Sequence, residues 1–204
     1  MSIDVQQPFD AIVLAGGEGI RLEGADKAAV TVGGRPMLAH VLDAVAGARR
    51  TVVVAPPSVE TFGVDRVQEV PPLGGPAAGM AAGLAHLGQD GGAAVVVLAC
   101  DLPLAGGLVP ELLAVLARDA GVDGAVVVDA GGRRQPLLAV YRAPALRSAV
   151  ARLVASGGVS GASMRRLLEP MTLVEVPDPT GAAQDADTWD AVAELDSIIA
   201  RRTT

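Results

Sequence analysis

The chain has 204 residues, half of them apolar and only 2% aromatic, and its net charge is −7 at pH 7. This length predicts a single domain over residues 1–204. The negative charge argues against general nucleic-acid binding, which needs a basic surface, and the low aromatic content argues against a stacking platform for bases.

The single cysteine, Cys100, excludes a disulfide within one chain and a cysteine-rich zinc site. The first ten residues, MSIDVQQPFD, do not have the pattern of a signal peptide, and no stretch approaches the ~20 apolar residues of a membrane span. We therefore expect a soluble cytoplasmic protein with no membrane partner.

Apolar runs of strand length alternate with helix-length segments along the chain. In chain order, the pattern predicts a strand at 11–14, a helix at 36–45, a strand at 51–54, a helix at 76–87, a strand at 94–98, a helix at 108–118, strands at 125–128 and 137–141, a helix at 144–156, a strand at 171–176 and a helix at 188–200. The alternation predicts an α/β fold, a Rossmann-like three-layer sandwich whose mostly parallel sheet has helices on both faces. Ligands bind at the carboxyl ends of strands in such sheets.

The loop after the first strand reads LAGGEGIRLEGADK over residues 14–27. It lacks the Gly-Lys-Ser/Thr of a Walker A loop, and Leu22 occupies the third glycine position of a dinucleotide loop. Gly16 and Gly17 would let the backbone approach a ligand, while Arg21 and Lys27 would contact phosphate oxygens. A surface loop with solvated cations is the alternative, but this combination after a first strand favours a phosphate-binding loop.

The spacing Leu14-Ala15-Gly16-Gly17-x3-Arg21-x4-Asp26-Lys27 resembles the signature of the nucleotidyltransferase superfamily. Within it, the chain is similar to the molybdenum cofactor guanylyltransferase family of MobA-like NTP transferases. Further segments resemble motifs of that family in order: Gly33-Gly34-Arg35-Pro36-Met37-Leu38, Gly74-Gly75-Pro76-Ala77-Ala78-Gly79-Met80, Cys100-Asp101-Leu102-Pro103, Gln135-Pro136-Leu137 with Tyr141-Arg142, and Asp185-Ala186-Asp187-Thr188. The resemblance covers nearly the whole chain.

This resemblance implies a fold of the nucleotidyltransferase type, with a nucleotide-binding half at about 8–105 and an acceptor-binding half at about 106–204. It implies an enzyme that transfers GMP from GTP to the phosphate of molybdopterin, releasing pyrophosphate. Molybdoenzyme maturation factors are the implied protein partners. Arg133, Arg134, Arg142, Arg165 and Arg166 supply basic groups to the acceptor half, although most of them are expected to be solvated.

The resemblance also assigns roles to individual residues. Lys27 and Arg21 are the catalytic candidates, and Asp101 is the candidate ligand of Mg²⁺, a cation that takes few protein oxygens and keeps phosphate and water ligands. Asp187 would be a second metal ligand or an N-cap of the last helix, a role that Thr188 would fill equally well. The candidate nucleotide-binding residues are Leu14, Ala15, Gly16, Gly17, Lys27, Glu69, Gly75, Pro76 and Asp101.

Departures from the family pattern leave alternatives open. Ala55 stands where the family often has Asn, and Asp185 and Asp187 replace Asn residues of some members. A transferase that uses CTP or another phosphorylated acceptor is one alternative, and a non-catalytic nucleotide-binding module is another. The base, the acceptor and the oligomeric state are therefore open at this point.

Overall fold

The computed structural model describes residues 8–16, 22 and 26–203, and for residues 202 and 203 it describes the backbone only. Gly17 and Arg21 therefore lie outside the described residues. The strands are β1 (Phe9–Leu14), β2 (Thr31–Val32), β3 (Arg35–Pro36), β4 (Thr51–Val54), β5 (Asp65–Val67), β6 (Ala94–Ala99), β7 (Gly124–Val128), β8 (Arg134–Arg142) and β9 (Leu173–Pro177). The helices are α1 (Met37–Ala44), α2 (Pro76–Leu87), α3 (Val109–Arg118), α4 (Ala143–Ala155), α5 (Met164–Leu168) and α6 (Trp189–Thr203).

Seven strands form one sheet in the order β5-β4-β1-β6-β8-β7-β9. Strand β8 runs antiparallel to β6 and β7, and the other neighbouring pairs are parallel. The prediction of a mostly parallel sheet is therefore confirmed. Strands β1, β4, β6 and β7 end at the same edge of the sheet because they run in the same direction.

Helices cover both faces of this sheet. Ala11 and Val13 of β1 belong to a buried cluster with residues of α1, α3 and α6. Ile12 and Leu14, which alternate with them along the strand, belong to a second cluster with residues of α2, α4 and α5. The predicted three-layer sandwich is confirmed. None of the helices in the described ranges is long and apolar enough to cross a membrane.

Several short elements were absent from the sequence prediction. Strand β5 is a three-residue edge strand with two exposed polar residues, so it carries no apolar periodicity. Strands β2 and β3 form a hairpin whose turn residues, Gly33 and Gly34, have φ of 60° and 73°. The predicted start of α1 at Pro36 was wrong by one residue, because Pro36 ends β3 and precedes the helix as its N-cap.

Candidate functional site

A cleft of about 520 Å³ lies at the edge where the parallel strands end. Eight predicted site residues line it: Leu14, Ala15, Gly16, Lys27, Glu69, Gly75, Pro76 and Asp101. The structure thus brings together every described residue of the predicted nucleotide-binding set. Their individual roles stay predictions.

The strand ends under the cleft are joined by hydrogen bonds. The N–H of Ala15 donates to the carbonyl of Val54 over 2.8 Å, and the N–H of Cys100 donates to the carbonyl of Leu14 over 2.9 Å. These bonds continue the β4-β1-β6 pairing beyond β1. Because the Ala15 N–H is already used within the fold, it is not an available donor for a ligand.

Lys27 is held by a turn packed against the start of α1. The Asp26 carboxylate accepts the N–H of Ala28 over 3.0 Å, and the carbonyl of Ala28 in turn accepts the N–H of Leu38 over 3.3 Å. The carbonyl of Val30 accepts the N–H of Met37 over 2.8 Å. The backbone around Lys27 is therefore fixed to a helix of the core rather than to the glycine-rich loop alone.

Lys27 contacts two carboxylates that are distant in sequence. Its Nζ lies 3.2 Å from Asp101 Oδ2 and also donates to Asp187 Oδ1. Asp101 and Asp187 are brought together by the backbone, since the N–H of Ala186 donates to the carbonyl of Asp101 over 3.1 Å. The segment after β9 is thereby attached to the end of β6, and one lysine faces an acid from each half of the chain.

This cluster is partly shielded from water. The side chains of Lys27, Asp101 and Asp187 are 24%, 17% and 29% exposed. Burial opposes the charged form of Lys27, but the hydrogen bond to Asp187 and the negative charge of Asp101 outweigh it and raise the lysine's pKa. Lys27 therefore stays cationic at neutral pH and is suited to contact phosphate.

A further acid and the cysteine lie beside the cluster. Desolvation of the Asp185 carboxyl, followed by the charges of Asp187 and Asp101, raises the pKa of Asp185, although the residue as a whole is exposed. Cys100 is buried, and burial together with the charge of Asp101 raises its pKa. Its thiol is thus kept in the unreactive protonated form.

The start of α6 distinguishes Asp187 from its neighbour. Thr188 Oγ1 accepts the N–H of Ala191 over 3.2 Å, and the Thr188 carbonyl accepts the N–H of Val192. Thr188 is therefore the N-cap of the last helix. The Asp187 carboxylate points to Lys27 instead.

The loop before α2 forms another wall of the cleft. Gly75, with φ of 83°, is the N-cap of α2, and Pro76 occupies its first turn. The carbonyl of Gly74 accepts the N–H of Gly161 over 2.8 Å, so the loop between α4 and α5 holds this wall in place. A Cβ on Gly74 would lie 2.8 Å from the Ala78 Cβ, which explains the glycine at that position.

The arginines of the second half differ in their environments. Arg142 donates to the carbonyls of Val122, Leu116 and Asp119, so its guanidinium serves the fold and is not available to an acceptor. Three of the others contact neighbouring side chains or carbonyls: Arg133 with Asp129, Arg134 with Glu175 and Arg166 with Ser156. Arg133 lies on the β7–β8 turn, at the same sheet edge as the cleft.

Seven further residues line the cleft that were not among the predicted site residues: Asp26, Val54, Leu73, Gly79, Ala99, Cys100 and Leu137. Most of them are small or apolar and carry no chemical signature of their own. Position at a strand end was the available signal for Val54 and Ala99. Leu73 had no such signal, because its loop follows a strand that the sequence pattern did not reveal.

A cleft at the strand ends with a lysine facing two carboxylates, after a glycine-rich sequence, fits a nucleotidyltransferase. Residues 11–176 match the family described as MobA-like NTP transferase domain, and the chain belongs to this family. It is 36% identical to a molybdenum cofactor guanylyltransferase from Cupriavidus metallidurans over 88% of this chain and 90% of that protein.

Two solved structures have the same fold. The molybdopterin-guanine dinucleotide biosynthesis protein A from Archaeoglobus fulgidus is 23% identical, with a TM-score of 0.70 over 94% of this chain and 99% of its own. The 2-C-methyl-D-erythritol 4-phosphate cytidylyltransferase from Thermus thermophilus is 19% identical, with a TM-score of 0.67 over 93% of this chain and 98% of its own. The fold is therefore shared by enzymes named for different bases.

The family implies a divalent metal, and the residues present fit one. Asp101 and Asp187 place two carboxylates around the Lys27 ammonium at the cleft. Among the described residues, no group of three or more His, Cys, Asp or Glu side chains could hold a metal ion without help. A cation that takes one or two carboxylates and completes its shell with phosphate and water suits this donor set.

Proposed function

We propose that this enzyme transfers GMP from GTP to the phosphate of molybdopterin, forming the guanine dinucleotide cofactor and pyrophosphate. The main observation in support of this function is that Lys27 lies between Asp101 and Asp187 in the cleft of a MobA-like transferase. Likeness to a guanylyltransferase over most of the chain supports this function. A cytidylyltransferase or a non-catalytic module is not favoured.

The reaction is a displacement at the α-phosphorus of GTP. A terminal phosphate oxygen of molybdopterin attacks this phosphorus, the bond to the oxygen bridging the α- and β-phosphates breaks, and that oxygen leaves with pyrophosphate. Lys27 would move from its carboxylates to the α-phosphate and stabilise charge there. Gly16 and Gly75 would let the phosphates and ribose approach the backbone, and Arg21, in the glycine-rich loop, would hold the pyrophosphate portion.

Asp101 and Asp187 are the residues that would hold Mg²⁺, which when bound supplies positive charge for the triphosphate. The two acids also orient Lys27 before the nucleotide arrives. Both carboxylates are partly buried, which strengthens their interaction with the ammonium relative to an exposed pair. Removal of either acid should therefore disturb the position of the lysine as well as the metal site.

Glu69 favours guanine over cytosine. It lines the cleft in the loop after β5, and this edge of the sheet lies across β1 from Asp101. Guanine presents two adjacent donors, N1–H and the N2 amino group, which one carboxylate accepts together. Cytosine presents a single donor group at N4 beside an acceptor at N3, which would face the carboxylate unfavourably.

We also propose that the reaction takes place in the cytoplasm, where GTP is supplied, and that maturation factors of molybdoenzymes receive the product. Both statements follow from the proposed substrates. Neither requires a nucleic-acid or membrane partner.

The test is pyrophosphate release by the purified protein with Mg²⁺, molybdopterin, and GTP or CTP in parallel reactions. We expect release with GTP that depends on the acceptor, and at least tenfold less with CTP. Glu69→Gln should reduce the preference for GTP. Release that occurs only with CTP would contradict the guanylyl assignment, and no release with any triphosphate would contradict catalysis.

A further inference from the structure

Leu73 has an unusual backbone conformation for its residue type. Its φ is 62°, in the left-handed region that favours glycine. Leu73 lines the cleft, yet it is 68% exposed. A leucine in this place adds little to the core, so its strained conformation is not explained by folding.

Glycine would satisfy the same backbone without strain, and the chain has glycines at the next two positions, Gly74 and Gly75. The chain therefore carries a leucine side chain at 73 despite an unfavourable backbone conformation. Strain of this kind is typically found at functional sites, where the surrounding structure presents a side chain to a ligand. Because Leu73 lines the cleft, the ligand that it would contact is the one that binds in the cleft.

The position of Leu73 indicates which part of the ligand it contacts. Lys27 and Asp101 mark the phosphate end of the cleft, beside β6. Leu73 lies with Glu69 in the loop between β5 and α2, on the far side of β1 from β6 in the strand order. This strand order puts the loop that carries Leu73 on the opposite side of β1 from the strand that leads to Asp101.

We propose that Leu73 covers one face of the nucleotide base and thereby strengthens the binding of GTP. This inference rests on the proposed function. Within the described part of the chain, the cleft lining contains no aromatic side chain that could stack on a base. An exposed leucine held over the cleft provides the apolar surface instead, while Glu69 recognises the edge of the base.

The test compares GTP with inorganic tripolyphosphate, each titrated by calorimetry against the wild-type protein and Leu73→Ala. We expect Leu73→Ala to weaken GTP binding about tenfold, because the apolar contact with the base is lost. Tripolyphosphate has no base, so its affinity should not change. Leu73→Gly also relieves the backbone strain and should weaken GTP binding by at least as much.

Phe62 offers a matched control. It is the other described non-glycine residue with positive φ, at 53°, it is 49% exposed, and it does not line the cleft. Phe62→Gly should therefore leave the affinity for GTP unchanged.

Two results would overturn the role of Leu73 alone. One is wild-type affinity of Leu73→Ala for GTP, and the other is an equal loss of GTP and tripolyphosphate affinity, which would indicate a distorted loop. A wild-type protein that binds tripolyphosphate but not GTP would instead overturn the proposed function, and this inference with it.

Discussion

Lys27 joins the two acids of the cleft, and each of the three side chains is accordingly expected to be needed for turnover. We expect Lys27→Ala and Asp101→Ala each to reduce the rate of pyrophosphate release roughly 10²–10³-fold or more, because each removes charge stabilisation at the reacting phosphate. The double variant should be little worse than either single one, since the residues act as a unit.

Arg35→Ala is the matched control for these substitutions. Arg35 pairs with Asp43 over 2.9 Å, but the two side chains are 51% and 65% exposed. A surface pair of this kind contributes about 0–1 kcal/mol, so the variant should keep both its rate and its stability. Rates of Lys27→Ala and Asp101→Ala equal to that of Arg35→Ala would contradict the assigned roles.

Two adjacent residues at the start of α6 have separable effects. Asp187→Asn keeps the shape of the side chain but removes the charge that faces Lys27, so we expect a large loss of activity with little loss of stability. Thr188→Ala removes the helix cap and should lower the free energy of unfolding by about 1 kcal/mol while activity is retained. Parallel urea denaturation and rate measurements on both variants check this, and the reverse pattern would assign the cap to Asp187.

At the scale of elements, the β2–β3 hairpin is fitted to α6 through one glycine. A Cβ on Gly33 would lie 2.5 Å from Ile199 Cγ2, whereas a Cβ on Gly34 would meet nothing within 4 Å. Both residues have positive φ, so both alanine variants are strained. We expect Gly34→Ala to destabilise by about 1 kcal/mol and Gly33→Ala by about 2–3 kcal/mol, because only the latter also overpacks the contact. Equal losses in the free energy of unfolding, measured by chemical denaturation, would show that the hairpin can shift to accommodate a Cβ at Gly33 at no cost.

The turn after β9, which leads to Asp185 and Asp187, depends on Asp178. Burial opposes ionisation of this carboxylate, but the N–H groups of Ala183 and Thr180 donate to it and together lower its pKa. Asp178 therefore contributes stability above the unfolded-state pKa of about 3.9, and this contribution is lost as pH falls through the lower folded-state value.

Asp178→Asn tests this pH dependence. After allowance for solvent screening, we expect it to lower the free energy of unfolding at pH 7 by about 1 kcal/mol. The difference between wild type and variant should shrink as the pH is lowered from about 5 to 2. A difference that stays constant over this range would mean that the charge of Asp178 has no part in holding the turn.

The elements that could be predicted from sequence are those with a strong apolar pattern. The apolar runs at 11–14, 51–54 and 94–98 identified β1, β4 and β6, and the helix-length segment at 108–118 identified α3. Strand β5 was not predicted because it is short and polar. As a result, the loop that follows β5 and carries Leu73 could not be recognised as a loop at a strand end. The pairing of Asp101 with Asp187 through Lys27 depends on tertiary contacts, and only the resemblance had suggested that both acids belong to one site.

At the scale of the whole molecule, the positive charge of Lys27 in the cleft contrasts with the negative net charge of the protein. The net charge of −7 would repel GTP at long range, so binding must rely on short-range contacts at the cleft. Those contacts come from segments as far apart as β1, α2, β6 and the start of α6. A ligand that bridges them should stabilise the fold as a whole.

This bridging predicts a thermal shift that depends on metal. With Mg²⁺ and GTP at about 100 times its Kd, we expect about 2.7 kcal/mol of added stability and a rise in Tm of about 5–10 °C for a chain of this size. EDTA should reduce the shift, because without the metal the two acids and the triphosphate repel one another. In Asp101→Asn the shift should be smaller and should respond less to EDTA, because only Asp187 remains of the two acids. Asp43→Asn, which removes the same charge from an exposed position, should keep the wild-type response. An equal shift with and without Mg²⁺ in the wild-type protein would mean that the carboxylates serve only to hold Lys27.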